Sequence, residues 1–231
     1  MSSNTPPKQP SPSSEAPQSR QQRRQELVKN SKQASKKQYD KNKREMMIIK
    51  IVSGVLLGAL LIGMGYWIVS YLQDRDLNQT PDNVKEFSYV NNQHIEGDID
   101  YSTLSDYQGE IPPAGGAHNS TPQQCDVYTA EIRTENALHS LEHGAVWITY
   151  QPDLPADQVA KLAALAEGDN YMLMSPYEGL PAPIVLTAWN HQLQLQSFDK
   201  TQVERFIRSY KNKPGVTPEY GASCAGVTTT K

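Results

Sequence analysis

Two histidines and a glutamate in one short stretch have the residue types and the spacing to bind a metal ion. His139 and His143 lie four residues apart in His-Ser-Leu-Glu-His, so on a helix both side chains project from one face, about a turn apart. Two imidazoles at this spacing can share an ion. Leu138 and Leu141 point to a different side of that helix, so the histidine pair lies off the apolar face.

A third histidine completes a candidate ligand set. His118 ends the glycine-rich run Pro-Pro-Ala-Gly-Gly-Ala-His, and we predict that it joins His139 and His143 at one copper or zinc ion. Three imidazole ligands leave one coordination position open. Glu142 is expected to support this site by orienting a histidine or by acting on a bound water.

Two other interpretations of the same residues stay open. In the first, they are ordinary polar-face residues, and one histidine stabilises the helix C-terminus as a cation. In the second, H-x-x-E-H is the pattern of inverzincin zinc proteases, with Glu142 as general base and a distant acidic ligand such as Glu204. Of the remaining histidines, His94 is expected in a solvated loop and His191 in a hairpin turn.

The two cysteines, Cys125 and Cys224, bracket the part of the chain with regular periodicity. A disulfide between them would tie the C-terminal segment to the segment that enters the first helix of that part. The chain-entropy model gives such a bond about 4.7 kcal/mol for a loop of about 100 residues, less any strain. A thiolate ligand at Cys125, near His118, and a redox pair are the alternatives.

Charge divides the chain into two parts of opposite sign. Residues 1–50 contain 12 of the 22 Lys and Arg and four of the 25 Asp and Glu, a net charge of +8. Residues 51–231 contain the other 10 bases and 21 acids, a net charge of −11. Because phosphate binding needs clustered positive charge, the acidic part argues against nucleic acid as its partner.

Residues 51–73 are a predicted transmembrane helix. These 23 residues carry no charge. Their number slightly exceeds the roughly 20 residues that a helix needs to cross the hydrocarbon core. A cleaved signal peptide is the competing interpretation, but the basic region is too long and no small-x-small site follows. The basic flank places the N-terminus in the cytoplasm, in a single-pass protein of the cell membrane. Gly54 and Gly58 form one G-x-x-x-G that would suit a homodimer, although glycine is common in membrane helices.

The segments around this helix differ in composition. Residues 1–22 are predicted to be a disordered cytoplasmic tail and residues 23–50 a basic juxtamembrane segment, either solvated or helical on anionic lipid. Residues 74–92 are expected to form a polar stalk, and residues 93–231 an extracytoplasmic domain. The long irregular stretch at the start of that domain is typical of a functional loop or one wrapped over the core.

Periodicity predicts the order α-β-α-β-β-β-α from Thr134 onward, which is an α/β or α+β domain. We expect a small sheet of about four strands with flanking helices, and a thioredoxin-like arrangement is one candidate, although no C-x-x-C is present. Thr134 is the expected cap of the first helix and Gly144 its end. Residues 145–150 are expected in the centre of the sheet, and residues 192–196 at an edge.

Three segments resemble a bacterial family of domains of unknown function, number 3105, whose members are often membrane-anchored or exported. They are residues 112–118 (PPAGGAH), 139–152 (HSLEHGAVWITYQP) and 175–189 (SPYEGLPAPIVLTAW). The family typically has Pro-Pro-Thr-Ser-Gly-Pro-His in the first segment, so residues 114–117 depart from it while His118 is kept. The resemblance implies a fold and a location outside the cytoplasm, but no reaction. It also implies that His118, His139, Glu142 and His143 belong to one family pattern.

The sequence as a whole favours a membrane-tethered, metal-binding domain over an enzyme. Metal handling, or an accessory role to a membrane protein or complex, would suit such a tethered domain. The alternative from another class is a structural or interaction module without metal, in which the same side chains hold the long loop onto the first helix. The zinc-dependent hydrolase is a second alternative.

Overall fold

The computed structural model describes residues 19–89, 93–228 and 230. The chain divides into two compact units, Met1–Ile68 and Val69–Lys231. The predicted disordered tail falls almost entirely outside the described residues, and its last three positions already belong to the first helix.

Helix α1, Arg20–Leu77, runs for 58 residues and buries none of them. It contains the basic segment and the uncharged residues 51–73 in one continuous helix. By length and composition α1 could cross a membrane, a test that a signal sequence near the N-terminus also passes.

The second unit is built on one mixed sheet, which shows an α+β fold. The strands are β1 Lys85–Glu86, β2 Val146–Tyr150, β3 Met172–Pro176, β4 Ile184–Ala188 and β5 His191–Leu195. Strand β2 pairs in parallel with β3, and the other strand pairs of the sheet are antiparallel. The order across the sheet is β1-β5-β4-β2-β3.

Three helices accompany the sheet: α2 Thr134–Glu142, α3 Ala156–Ala166 and α4 Lys200–Tyr210. A short 3-10 helix, Tyr101–Thr103, precedes them. From Thr134 onward the order of elements is therefore the predicted α-β-α-β-β-β-α. Asp199 caps α4, since its side chain accepts a hydrogen bond from Gln202 N–H at 3.1 Å.

The sheet has a separate apolar cluster on each face. Val146 and Ile148 of β2 belong to the cluster that contains α3 and α4, with Phe206 at its centre. Trp147 belongs to the other cluster, with Leu138 of α2. Strand β2 has no polar alternation because both of its faces are covered, as predicted for a central strand.

Strand β5 is not at the edge of the sheet, contrary to the prediction. Strand β1 pairs with it, through Lys85 opposite Gln192 and Glu86 opposite His191. The alternation of glutamine and leucine reflects two differently covered faces. Gln192 is fully buried and its side-chain amide donates to the carbonyl of Pro112 at 3.0 Å. β1 itself lies in the segment that the sequence assigns to a stalk.

Helix α2 ends as expected but begins differently. Gly144, with φ of 105°, follows it and turns the chain towards β2. The predicted cap, Thr134, is instead the first residue of the helix, and Arg133 precedes it without a side-chain capping bond. The hydroxyl of Thr134 lies 3.3 Å from that of Tyr177. All nine residues of α2 are buried, so its polar face is covered rather than solvated.

Candidate metal centre

Two adjacent groups of ligand-type side chains lie where the loop before α2 covers that helix. We call the first the inner group; it consists of His94, His118, His139 and Glu142. The second, the outer group, consists of His139, His143 and Glu219. Within each group the candidate ligand atoms lie within 4.8 Å of one another. His139 belongs to both groups.

Helix α2 supplies His139, Glu142 and the adjoining His143 from one face, as the spacing predicts. The rings of His139 and His143 are 4.5 Å apart between centroids and nearly perpendicular, at 82°. Burial of the whole helix means that these side chains face other protein groups instead of bulk water.

His94 and His118 are brought together by pairing of the loop with itself. Ile95 N–H donates to the carbonyl of His118 at 2.8 Å, and His118 N–H donates to the carbonyl of Gln93 at 3.0 Å. This parallel bridge sets the two imidazole centroids 4.9 Å apart. The ring of His94 also stacks on that of His139, with centroids 4.9 Å apart and planes at 17°.

Hydrogen bonds hold the loop along α2 over the following residues. Asn119 N–H donates to the carbonyl of Glu135, and Gln123 N–H donates to the carbonyl of Asn136, both at 3.0 Å. The hydroxyl of Ser140 donates to the carbonyl of Gln123 at 2.7 Å. The position of His118 relative to the helix histidines is therefore set by backbone contacts of its own segment.

Backbone carbonyls determine which nitrogen of the inner histidines is available. Nδ1 of His118 lies 2.8 Å from the carbonyl oxygen of Gly116, and Nδ1 of His139 lies 2.7 Å from that of Asn119. Because a carbonyl can only accept, each Nδ1 must carry the hydrogen. In the neutral ring Nε2 then holds the lone pair. A metal-bound histidine usually donates its other N–H in this way, which fixes the ring orientation.

The available nitrogen of His118 faces the carboxylate of Glu142. Its Nε2 lies 3.0 Å from Oε2 of Glu142, and His94 Nε2 lies 3.9 Å from the same oxygen. Nε2 of His118 is buried and has no hydrogen-bond partner among the described residues. A neutral imidazole nitrogen and an ionised carboxylate oxygen both only accept hydrogen bonds. This contact therefore needs either a proton between the two atoms, carried by His118 or by Glu142, or a cation.

Burial keeps the imidazole of His139 in its neutral form. Desolvation lowers the pKa of His139, and the neighbouring His143, His118 and His94 lower it further. The hydrogen bond to Asn119 acts in the opposite direction. A depressed pKa favours the unprotonated ring, which is the form that binds metal ions.

The outer group joins α2 to the C-terminal segment. Nδ1 of His143 lies 2.6 Å from the carbonyl oxygen of Ser223, so its Nε2 is the available nitrogen. That Nε2 lies 3.1 Å from Oε2 of Glu219. Glu219 N–H donates to the carbonyl of Glu142 at 3.0 Å, which ties its backbone to the end of α2.

A disulfide joins Cys125 to Cys224, next to Ser223, with 5.5 Å between their Cα atoms. Cys125 N–H also donates to the carbonyl of Cys224 at 3.0 Å. The bond ties the C-terminal segment, which carries the outer carboxylate, to the loop that covers α2. Because both sulfur atoms are in this bond, Cys125 offers no thiolate ligand.

A family model described as a protein of unknown function, DUF3105, matches residues 98–226. The chain belongs to the DUF3105 family. No curated protein and no solved structure matches it. The thioredoxin-like arrangement therefore stays a prediction. The DUF3105 match includes every member of both groups except His94.

The ligand set predicted from the sequence is divided between the two groups. His118 and His139 meet in the inner group, whereas His143 lies with His139 in the outer group. Glu142 lies in the inner group, with Oε2 3.0 Å from Nε2 of His118, and its supporting role stays a prediction. Sequence reasoning missed His94, which loop pairing brings in, and Glu219, which the C-terminal segment brings in; no sequence spacing indicates either contact.

Glu204 and His191, both considered from the sequence, and Met172 lie apart from both groups. Glu204 forms an ion pair with Lys200 on α4, at 3.7 Å. Nδ1 of His191, which begins β5, lies 2.7 Å from the carbonyl oxygen of Trp189. Met172 belongs to the apolar cluster on the face with α3 and α4.

Proposed function

We propose that this DUF3105 protein is a membrane-tethered domain that binds one transition-metal ion in the inner group. The observation that carries the proposal is the contact between His118 Nε2 and Glu142 Oε2, two buried atoms 3.0 Å apart, with further imidazoles beside them. A divalent cation at this place would accept a lone pair from each of the two atoms.

The donor set favours copper or zinc. Imidazole nitrogens with one carboxylate suit both ions, whereas calcium and magnesium prefer oxygen donors. Zn–N distances of about 2.0–2.1 Å put tetrahedral ligand atoms roughly 3.4 Å apart. The contacts of 3.0 and 3.9 Å to Glu142 bracket that separation, so small side-chain movements would close the site.

The tether and its orientation belong to the same proposal. Residues 51–73 cross the membrane, the basic residues before them stay in the cytoplasm, and the DUF3105 domain lies outside. The disulfide supports this orientation, because such bonds persist in oxidising compartments. A tethered metal-binding domain suits delivery of an ion to a membrane protein or complex, or an accessory role in it.

A structural module without metal is the second candidate function. It is favoured by the same Nδ1 contacts, which already fasten the loop to α2 through His139 and Asn119. In that case a proton, and no metal ion, lies between His118 and Glu142. The hydrolase alternative has less support: Glu204, its expected distant ligand, is in neither group, and Glu142 already lies against His118.

The test is the metal content of the full-length chain, purified in detergent without chelator or histidine tag and measured by inductively coupled plasma mass spectrometry. We expect about one equivalent of copper or zinc per chain, and clearly less in His118→Ala, because a site with one ligand fewer loses part of its ion during purification. His191→Ala is the matched control, because His191 also pairs its Nδ1 with the carbonyl two residues earlier but belongs to neither group. No metal after incubation with either ion would refute the proposal.

A further inference from the structure

We propose that the outer group is a transient metal position from which the ion passes into the inner group through His139. This inference rests on the proposed function. It adds a route for the ion and assigns a role to His143 and Glu219, which the inner group does not include.

His139 can serve only one of the two positions at a time. Its Nδ1 is paired with the carbonyl of Asn119, which leaves Nε2 as its one lone pair. A single lone pair binds a single ion. Because both groups contain His139, an ion in one position withdraws this ligand from the other. One ion can therefore occupy either position, but the two positions cannot both use His139 at the same time.

Glu219 and His143 of the outer group are more exposed to solvent than His118 and Glu142 of the inner group, as a route for an ion from solvent inward requires. The side chain of Glu219 is 49 % exposed and that of His143 is 11 % exposed. His118 and Glu142, deeper in the domain, are fully buried. A partly exposed carboxylate attracts a hydrated cation. His143 and then His139 provide imidazoles to replace its water on the way inward.

The outer group is held in place before an ion arrives. The carbonyl of Ser223 fixes the ring of His143, and the carbonyl of Glu142 holds the backbone of Glu219. The disulfide at Cys224 anchors the same segment. A position assembled this way binds without paying first for the ordering of a loop.

His94 offers a competing route into the inner group, since its side chain is 46 % exposed. It brings no negative charge to attract a cation, whereas Glu219 does. A route through Glu219 predicts slow metal loading in Glu219→Gln, whereas a route through His94 predicts slow loading in His94→Ala. Loading rates of these variants therefore distinguish the two routes.

Trp189 provides a reporter at the inner position. Its ring centroid is 5.7 Å from that of His118, and Cu²⁺ quenches the fluorescence of a nearby indole. Metal-free full-length protein in detergent is mixed with Cu²⁺ in a stopped-flow instrument, and unloading is followed after adding EDTA. Trp189→Phe identifies the part of the signal that arises at the inner position.

We expect Glu219→Gln to slow loading and unloading by the same factor, about tenfold or more, because it removes a route and not a resident ligand. His143→Ala should act in the same direction. Glu167→Gln is the matched control: it removes the same charge from an exposed residue outside both groups and should load at the wild-type rate.

Wild-type rates in Glu219→Gln would overturn the transfer route. So would slow loading confined to His94→Ala, which would place the route at His94. A loss of Cu²⁺ affinity in His143→Ala as large as in His118→Ala would make His143 a resident ligand and also contradict it. Absence of Cu²⁺ binding in the wild-type protein would instead refute the proposed function on which the route rests.

Discussion

His118 Nε2 and Glu142 Oε2 lie 3.0 Å apart with 0 % and 1 % of their side chains exposed. With Nδ1 of His118 donating to a carbonyl, Nε2 and Oε2 can lie this close only with a proton or a cation between them. Metal binding and a purely structural role differ in which of the two is present. The predictions below follow from that difference and from the groups that build the site.

Glu142→Gln separates the two roles when stability is measured with and without zinc. In metal-free protein both accounts place a proton between His118 and Glu142, so the change should destabilise the domain in either case. Added zinc should raise the free energy of unfolding of the wild-type domain, because it binds the folded state, and the variant should bind zinc about tenfold or more weakly, since a charged ligand is lost. A free energy of unfolding that zinc does not change in the wild type would favour the structural role. Chemical denaturation and metal titration measure the two quantities.

The metal-free domain should lose stability in mild acid through His139. Its pKa is lowered in the folded state, chiefly by burial, whereas the unfolded chain has the ordinary value of about 6.5. Above that pH neither state binds the proton and the stability contribution is fully present. As pH falls below about 6.5 the unfolded state takes up a proton that the folded state resists, so unfolding becomes more favourable. Denaturation midpoints at pH 7.5 and 5.5 test this, and His139→Gln should flatten the dependence.

Gly144→Ala should destabilise the domain more than a matched glycine change. Gly144 has φ of 105°, and a Cβ there would lie 2.9 Å from Cα of Asn212. Gly168 also has positive φ, 75°, but a Cβ there meets nothing within 4 Å. We expect about 1–2 kcal/mol for Gly168→Ala from the left-handed backbone alone, and a larger loss for Gly144→Ala. Equal losses in thermal or chemical denaturation would show that the contact with Asn212 relaxes freely.

Removal of the disulfide should weaken the whole domain. Cys125 and Cys224 are 99 residues apart in sequence, so the chain-entropy model gives a loss of about 4.7 kcal/mol, less any strain. The double change to Ser avoids leaving one free thiol. Denaturation with and without reductant should show a shift in the wild-type protein and none in the double variant. A reductant-independent midpoint in the wild type would contradict the prediction.

Much of the fold could be predicted because its elements are marked locally. Gly144 and Asp199 mark the end of one helix and the start of another, and the apolar run of β2 indicates a strand covered on both faces. Strand β5 was misplaced because its neighbour β1 is only two residues long and has no pattern of its own. The prediction of Thr134 as the N-cap of α2 was wrong, because its hydroxyl lies against that of Tyr177 instead of capping the helix.

The candidate site was predictable only where it lies on one helix. The spacing of His139 and His143 fixes their shared face, and His118, at the end of the glycine-rich run, was added as the third candidate ligand and shares the family pattern. His94 reaches the site through backbone pairing within the loop, and Glu219 through the C-terminal segment. Such contacts between distant parts of the chain leave no periodic signal in a single sequence.

The most direct measurement is X-ray absorption spectroscopy at the metal edge of the full-length protein loaded with one equivalent of zinc. For the inner group we predict three imidazole nitrogens and a carboxylate oxygen, all at about 2.0–2.2 Å, and one imidazole fewer in His118→Ala. A coordination sphere that contains sulfur, or one with two imidazoles that does not change in His118→Ala, would contradict binding at the inner group.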